Sequence, residues 1–218
     1  MKKVLITGAS RGIGKAIADC FIQHGYNVLI PTHQELDLSS VDSINEYIKG
    51  LEVDILINNA AENKVFLIKD LTKDNWQHII GVNLTAPFTL IRCLTDYMVA
   101  NKWGRIVNIS SCYSLVSKSG RAAYSASKAG LNSLTRTAAI EYAESNILIN
   151  SICAGFVDTE MTKRNNNPSQ INAICNRIPM KRLATPEEIA NFVFFIGSEQ
   201  NTYITGQSLV IDGGFLIG

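Results

Sequence analysis

Six short apolar runs punctuate the chain, and long stretches with helical spacing separate most of them. The runs are Val4–Thr7, Val28–Ile30, Ile55–Asn58, Arg105–Ser110, Ile147–Ala154 and Ser208–Ile211. Apolar periodicity predicts helices over Ile13–His24, Asn75–Asn101, Ala123–Ala143 and Pro186–Gly197. Thr72 stands as N-cap of the second, and Thr185 with Pro186 opens the last. Strands that are apolar on both faces and alternate with helices require a parallel sheet covered on both sides. The expected architecture is a single α/β domain over residues 1–218 with a doubly wound sheet.

One connection is too short for that pattern. Only Pro31 to Glu35 separate the second run from Leu36-Asp37-Leu38. A parallel crossover with its own helix needs about 10–12 residues. The helix between strands two and three is therefore expected to be missing, with Leu36–Leu38 either a short edge strand or an extended loop. Lys163–Ser169, with Asn165-Asn166-Asn167-Pro168 inside it, reads as a mobile lid within a covering segment at about 160–180.

Composition narrows the function classes. The 218 residues carry 20 basic and 19 acidic side chains, a net charge of +1. That balance argues against partners held by bulk electrostatics, so no nucleic acid and no membrane surface are expected. No stretch approaches the roughly 18 apolar residues of a membrane span. The five cysteines are odd in number and widely spaced, which fits reduced thiols in the cytoplasm. His24, His33 and His78 form no metal constellation, so no metal is expected.

The sharpest local signal is Thr7-Gly8-Ala9-Ser10-Arg11-Gly12-Ile13-Gly14, which leaves a strand and opens a helix. Glycines there let a pyrophosphate approach the helix N-terminus. By itself the pattern also fits a tight turn that binds nothing. The Gly-x-x-x-Gly-x-Gly spacing resembles the short-chain dehydrogenase/reductase family, and four further segments extend the resemblance. They are Asn58-Asn59-Ala60-Ala61, Val82-Asn83-Leu84, Val107-Asn108-Ile109-Ser110-Ser111 and Tyr124-Ser125-Ala126-Ser127-Lys128. Arg182–Glu188, Tyr203-Ile204-Thr205-Gly206 and Asp212-Gly213-Gly214 look like the 3-oxoacyl-acyl-carrier-protein reductase branch. The resemblance spans the whole chain and implies a Rossmann-like fold. Ala61 replaces the family's glycine, Ala154-Gly155 replaces its Pro-Gly, and the missing helix shortens the adenosine side.

Tyr124 and Lys128 are four residues apart on a predicted helix and share one face. A free phenol has a pKa near ~10, and bringing it to ~7 takes ~4 kcal/mol. An ammonium ~4 Å away supplies ~4 kcal/mol at an effective dielectric of ~20. By resemblance, Ser111 bonds the substrate oxygen and Tyr124 donates the proton. Lys128 tunes the phenol and holds the nicotinamide ribose, and Asn83 holds a water in a relay ending at Lys128. Asn83 also reads as a helix-interior amide bonding a neighbouring loop. Cys112 reads as a packing or pocket residue.

The resemblance implies a nicotinamide cofactor held by Gly8, Ser10, Arg11, Gly12, Ile13, Gly14, Thr32, His33, Asp37, Leu38, Asn59, Ala60, Ala61, Tyr124, Lys128, Gly155, Val157 and Thr159. The second strand ends Ile30-Pro31-Thr32-His33, with no acid before Glu35 to hold a ribose 2′-hydroxyl. Arg11 could instead pair a 2′-phosphate, so NADP(H) is expected, with NAD(H) the alternative. Arg11 otherwise reads as a solvated arginine, and Asp37 as a cap for a following helix. The expected activity is hydride transfer between NADPH and a small carbonyl or secondary alcohol substrate. That substrate is 3-oxoacyl-thioester-like and could be carrier-linked, and the protein is expected to be a homodimer or homotetramer. The alternatives are a reductase of a nucleotide-linked sugar and a non-catalytic dinucleotide-binding scaffold or sensor.

Overall fold

The computed structural model describes residues 1–218. Its sheet is built from β1 (Lys3–Ile6), β2 (Asn27–Leu29), β3 (Ile55–Asn58), β4 (Gly104–Ile109), β5 (Ile147–Ala154) and β6 (Ser208–Ile211). The strands lie in the order β2-β1-β3-β4-β5-β6, and every pair is parallel. Register is pinned by burial on both faces: β3, β4 and β5 have no exposed residue.

Eight α-helices cover the sheet: α1 (Gly12–Gln23), α2 (Val41–Ile48), α3 (Lys73–Ile80), α4 (Ala86–Ala100), α5 (Ala122–Tyr142), α6 (Glu160–Asn165), α7 (Pro168–Arg177) and α8 (Pro186–Gly197). On one face α1 and α8 bury Ile17, Phe21, Val193 and Phe194 against Ile6, Ile57, Val107 and Ile152. On the other, α2, α4 and α5 bury Ile44, Leu90, Leu94 and Ala138 against Leu5, Leu56, Ile106 and Ile149. Fully burying side chains of this size contributes about 1.5–3 kcal/mol each. No helix is long and apolar enough to cross a membrane.

Residues 31–40 form neither helix nor strand. Leu36–Leu38 is thus an extended loop, and β2 is the edge of the sheet. The link from Pro31 to Glu35 holds no helix, but the connection from β2 to β3 as a whole is not without one: β3 is reached through α2, whose Ile44, Tyr47 and Ile48 share one apolar face. Ser40 caps it by accepting from the Ser43 N–H. The long pattern over 75–101 is one continuous helical run, with a π-turn at Gly81–Thr85 between α3 and α4.

The segment expected to be a lid loop is instead mostly helical. Lys163–Asn165 ends α6, and Pro168 opens α7 at its first position. Asn167 is the reason: its side chain accepts from the Gln170 N–H, and Gln170 reciprocates on the Asn167 N–H.

Candidate active site

A doubly wound sheet binds ligands beyond the carboxyl ends of its strands, where the strand order reverses. Here that point is β1, which has β2 on one side and β3 on the other. A cleft of about 320 Å³ opens there. Its walls come from the loops after β1 (Gly8–Gly14), β3 (Asn59–Asn63), β4 (Ser110–Tyr113) and β5 (Gly155–Thr159), with α5 and α6 closing it.

The glycine turn is shaped for close approach. Gly8 has φ +67°, and a Cβ on it would run into Ala60. A Cβ on Gly14 would strike the Gly8 carbonyl oxygen and the Asn59 amide nitrogen. Asn59 locks the turn by donating from Nδ2 to the carbonyls of Thr7 and Gly8, at 3.0 and 2.9 Å. The Thr7 hydroxyl accepts from the N–H groups of Asn59 and Ala60, both at 3.1 Å. Helix α1 starts without a side-chain cap, so its first N–H groups face the cleft unclaimed by a side chain. A bare cradle with an uncapped 12-residue helix behind it fits a dinucleotide pyrophosphate.

The reacting groups meet opposite the cradle. Ser110 and Ser111 lie at the end of β4, and Tyr124 and Lys128 on α5; all four are buried and line the cleft. The Ser110 hydroxyl donates to the Lys128 carbonyl at 3.3 Å. The Ser111 hydroxyl accepts from the Tyr113 N–H at 3.1 Å and sits beside the Tyr124 phenol. Burial pushes that phenol up to about 12, with Ser111 pulling the other way. The Lys128 ammonium donates to the Ile109 carbonyl at 2.7 Å and lies 5.9 Å from the Tyr124 ring centre. Burial draws it down to about 8. Desolvation of the phenol outweighs the pull of the Ser111 hydroxyl and of the Arg121 charge. Two of the three N–H donors on Lys128 have no partner in the protein, a buried capacity that suits ribose hydroxyls.

Of the other predicted cofactor contacts, Ser10, Arg11, Gly12, Ile13, Ala60, Ala61, Gly155, Val157 and Thr159 line the same cleft. Thr159 also caps α6. Arg11 is exposed and pairs with Glu160 of α6 at 3.0 Å. Thr32, His33, Asp37 and Leu38 stay outside the cleft, in the loop after β2. The Asp37 carboxylate accepts from the Ser39 N–H and hydroxyl, which holds its pKa below the usual range. Asn83 also stays outside. It sits in the π-turn, accepts from the Glu62 N–H at 2.8 Å, and donates to the Glu62 carbonyl and to Ser127 at 2.9 and 3.1 Å. Its amide thus clamps the loop after β3 to the turn of α5 that carries Lys128.

Several cleft residues carry no motif. Tyr113 and Phe156 pack edge to face, with ring centres 6.0 Å apart, and Phe156 does the same with Phe215 at 5.1 Å. Cys112 is buried beside them, and burial pushes its thiol up to about 11. Asn63 and Arg121 also line the cleft, joined by hydrogen bonds from Arg121 Nη1 to Asn63. The three-residue step from Arg121 to Tyr124 was the one available cue, since it puts both on one helical turn.

Comparison with known proteins gives the same frame. Residues 34–216 match the family described as enoyl-(acyl carrier protein) reductase, and residues 2–47 match short chain dehydrogenase. The 3-oxoacyl-acyl-carrier-protein reductase of Buchnera aphidicola is 36% identical over 236 aligned residues, covering 98% of this chain and 96% of that protein. The same enzyme of Thermotoga maritima is 33% identical over 99% of this chain and 98% of its own length. Among solved structures, a 4-hydroxyisoleucine dehydrogenase complexed with NADH superposes with a TM-score of 0.94 at 32% identity, over 100% of both chains. A protein assigned as an NAD(P)-dependent gluconate 5-dehydrogenase from Beutenbergia cavernae, with NADP bound at low occupancy, also gives 0.94, at 30% identity over 100% of this chain and 97% of that one. With its glycine cradle, its parallel sheet and its serine, tyrosine and lysine in one cleft, the chain belongs to the short-chain dehydrogenase/reductase family of oxidoreductases.

Proposed function

We propose that the protein is an NADP(H)-dependent reductase of a 3-oxoacyl-like carbonyl compound. The observation that carries this reading is the joint placement of Ser111, Tyr124 and Lys128 opposite an uncapped, glycine-lined helix start. The cradle and the Lys128 donors would hold a nicotinamide dinucleotide, which supplies the hydride when bound. The Ser111 and Tyr124 hydroxyls both donate to the carbonyl oxygen as it gains charge, and Tyr124 gives up its proton to it. A phenol at about 12 is fully protonated at neutral pH, so it is ready to donate. Asn83 acts as a positioning residue through Ser127.

The preference for NADP(H) rests on Arg11 and on the absence of an acid at the end of β2. Exposed apolar side chains on the two long helices, Phe88 of α4 and Ile140 of α5, support a dimer or tetramer assembled on those faces. Five free cysteines suit a reducing cytoplasm. The 3-oxoacyl skeleton is taken from the curated relatives; two solved relatives are named for gluconate and 4-hydroxyisoleucine. The test is NADPH oxidation with 3-oxoacyl compounds by the wild type and Tyr124→Phe. Loss of the phenol proton should lower kcat by about 100- to 10,000-fold. Unchanged turnover in the variant would reject Tyr124 as the acid.

A further inference from the structure

Arg121 is 6% exposed and lines the cleft, yet it pairs with no carboxylate in the protein. One guanidinium nitrogen, Nη1, donates to the Asn63 carbonyl at 3.3 Å and to the Asn63 side-chain oxygen. Nε and Nη2 have no partner in the protein. The acids around the cleft are committed elsewhere. Glu160 pairs with Arg11, and the Asp212 carboxylate accepts from the N–H groups of Gly214 and Leu216. The second cation nearby, Arg177, lies over the Phe215 ring at 5.2 Å and adds to the positive field. Retaining a buried guanidinium without a counter-ion is unfavourable, and a ligand anion would relieve it.

The backbone holds Arg121 firmly. It forms a bridge with Phe66, its N–H donates to the Lys118 carbonyl, and its own carbonyl accepts from the Ser125 N–H. It precedes α5 by one residue and stands one turn before Tyr124, whose phenol its charge pulls downward. With Nη1 held by Asn63, the free Nε–H and Nη2–H form the two-pronged edge that matches the oxygens of a carboxylate.

We propose that Arg121 is the specificity-determining receptor for a substrate carboxylate. The preferred substrate is then a free 3-oxo acid, reduced to the 3-hydroxy acid, with its carboxylate standing where a thioester would carry its carbonyl and sulfur. The inference rests on the reductase reading and replaces the acyl carrier by a free acid anion.

The test compares NADPH oxidation with 3-oxobutanoate, its ethyl ester and its N-acetylcysteamine thioester. The wild type should favour the acid. Arg121→Gln, which keeps a side-chain amide to meet Asn63, should lower the acid-to-ester ratio of kcat/KM by about 10- to 100-fold, the range for a bond to a charged group. Arg121→Lys should restore part of that ratio, through KM rather than kcat. Equal or better turnover of the esters by the wild type, or a ratio that Arg121→Gln leaves unchanged, would overturn the proposal. A second arm needs no turnover: succinate should raise the Tm of the wild type and leave that of Arg121→Gln unmoved. No shift in the wild type, or an equal shift from inorganic phosphate, would overturn the carboxylate assignment. Absence of NADPH oxidation with every compound, together with a succinate shift that depends on Arg121, would sink the reductase reading and leave the anion site standing.

Discussion

Replacing Lys128 by methionine should stabilise the protein while abolishing its activity. The Lys128 ammonium is buried, and burial draws it from the usual lysine value near 10.5 to about 8. That gap corresponds to about 3 kcal/mol of destabilisation whenever the group is charged in the fold. Methionine removes the charge at similar length but leaves the Ile109 carbonyl without its donor, a loss of about 1 kcal/mol. The net gain at pH 7 is about 2 kcal/mol, which raises Tm by about 4–8 °C for a chain of this size. The pH dependence gives an independent check. A lysine depressed in the folded state releases its proton between about 8 and 10.5, while the unfolded chain still holds it. Wild-type stability relative to Lys128→Met must therefore rise across that window, and the variant's advantage must shrink. The thiol of Cys112 and the phenol of Tyr124 act in the opposite sense at high pH, since both are raised in the fold. They are present in both proteins and cancel in the difference. Urea unfolding of the two proteins at pH 7 and pH 9.5 measures all of this. A variant less stable than wild type at pH 7, or a difference that does not move with pH, would refute the reasoning.

Three other substitutions probe separate parts of the molecule. Arg11→Ala should raise KM for NADPH by about 10- to 100-fold, with a much smaller change for NADH. Its ion pair with Glu160 is exposed, so Tm should stay within the small range of a surface pair, which Michaelis kinetics and a thermal melt check together. Gly14→Ala forces a Cβ onto the Gly8 carbonyl, and the turn must open; about 1–3 kcal/mol of stability should be lost together with cofactor binding, read by calorimetry with NADPH. Thr185→Ala removes half of the capping box at the start of α8 and should lower stability by about 1 kcal/mol without altering turnover, read by denaturant melts.

Much of this was readable from residue order because the signals were local. The strands of a doubly covered sheet are uninterrupted apolar runs, and the observed bounds of β3, β5 and β6 coincide with Ile55–Asn58, Ile147–Ala154 and Ser208–Ile211. Thr185-Pro186 states a helix start outright, and α8 begins there. Helix α2 was legible only as the helix that Asp37 would cap: it is eight residues long, yet Ile44, Tyr47 and Ile48 line one face of it. Residues 163–169 misled because an asparagine run favours coil by composition, whereas Asn167 in this context is a cap. The shared face of Tyr124 and Lys128 follows from a four-residue step. The bond from the lysine to the Ile109 carbonyl does not, because Ile109 belongs to β4, far away in the sequence. For Arg121 the three-residue step to Tyr124 was the only cue in the sequence; the lack of an acid paired with it shows only in three dimensions.

Shortening the chain after β2 also changes what the sheet offers at that border. The terminal strand is three residues long, and Pro31, which has no N–H to give, follows within two positions. So few open main-chain groups make a poor template for a stray extended segment. A border that would otherwise need a covering element is thus protected against edge-to-edge aggregation by a short strand and a proline.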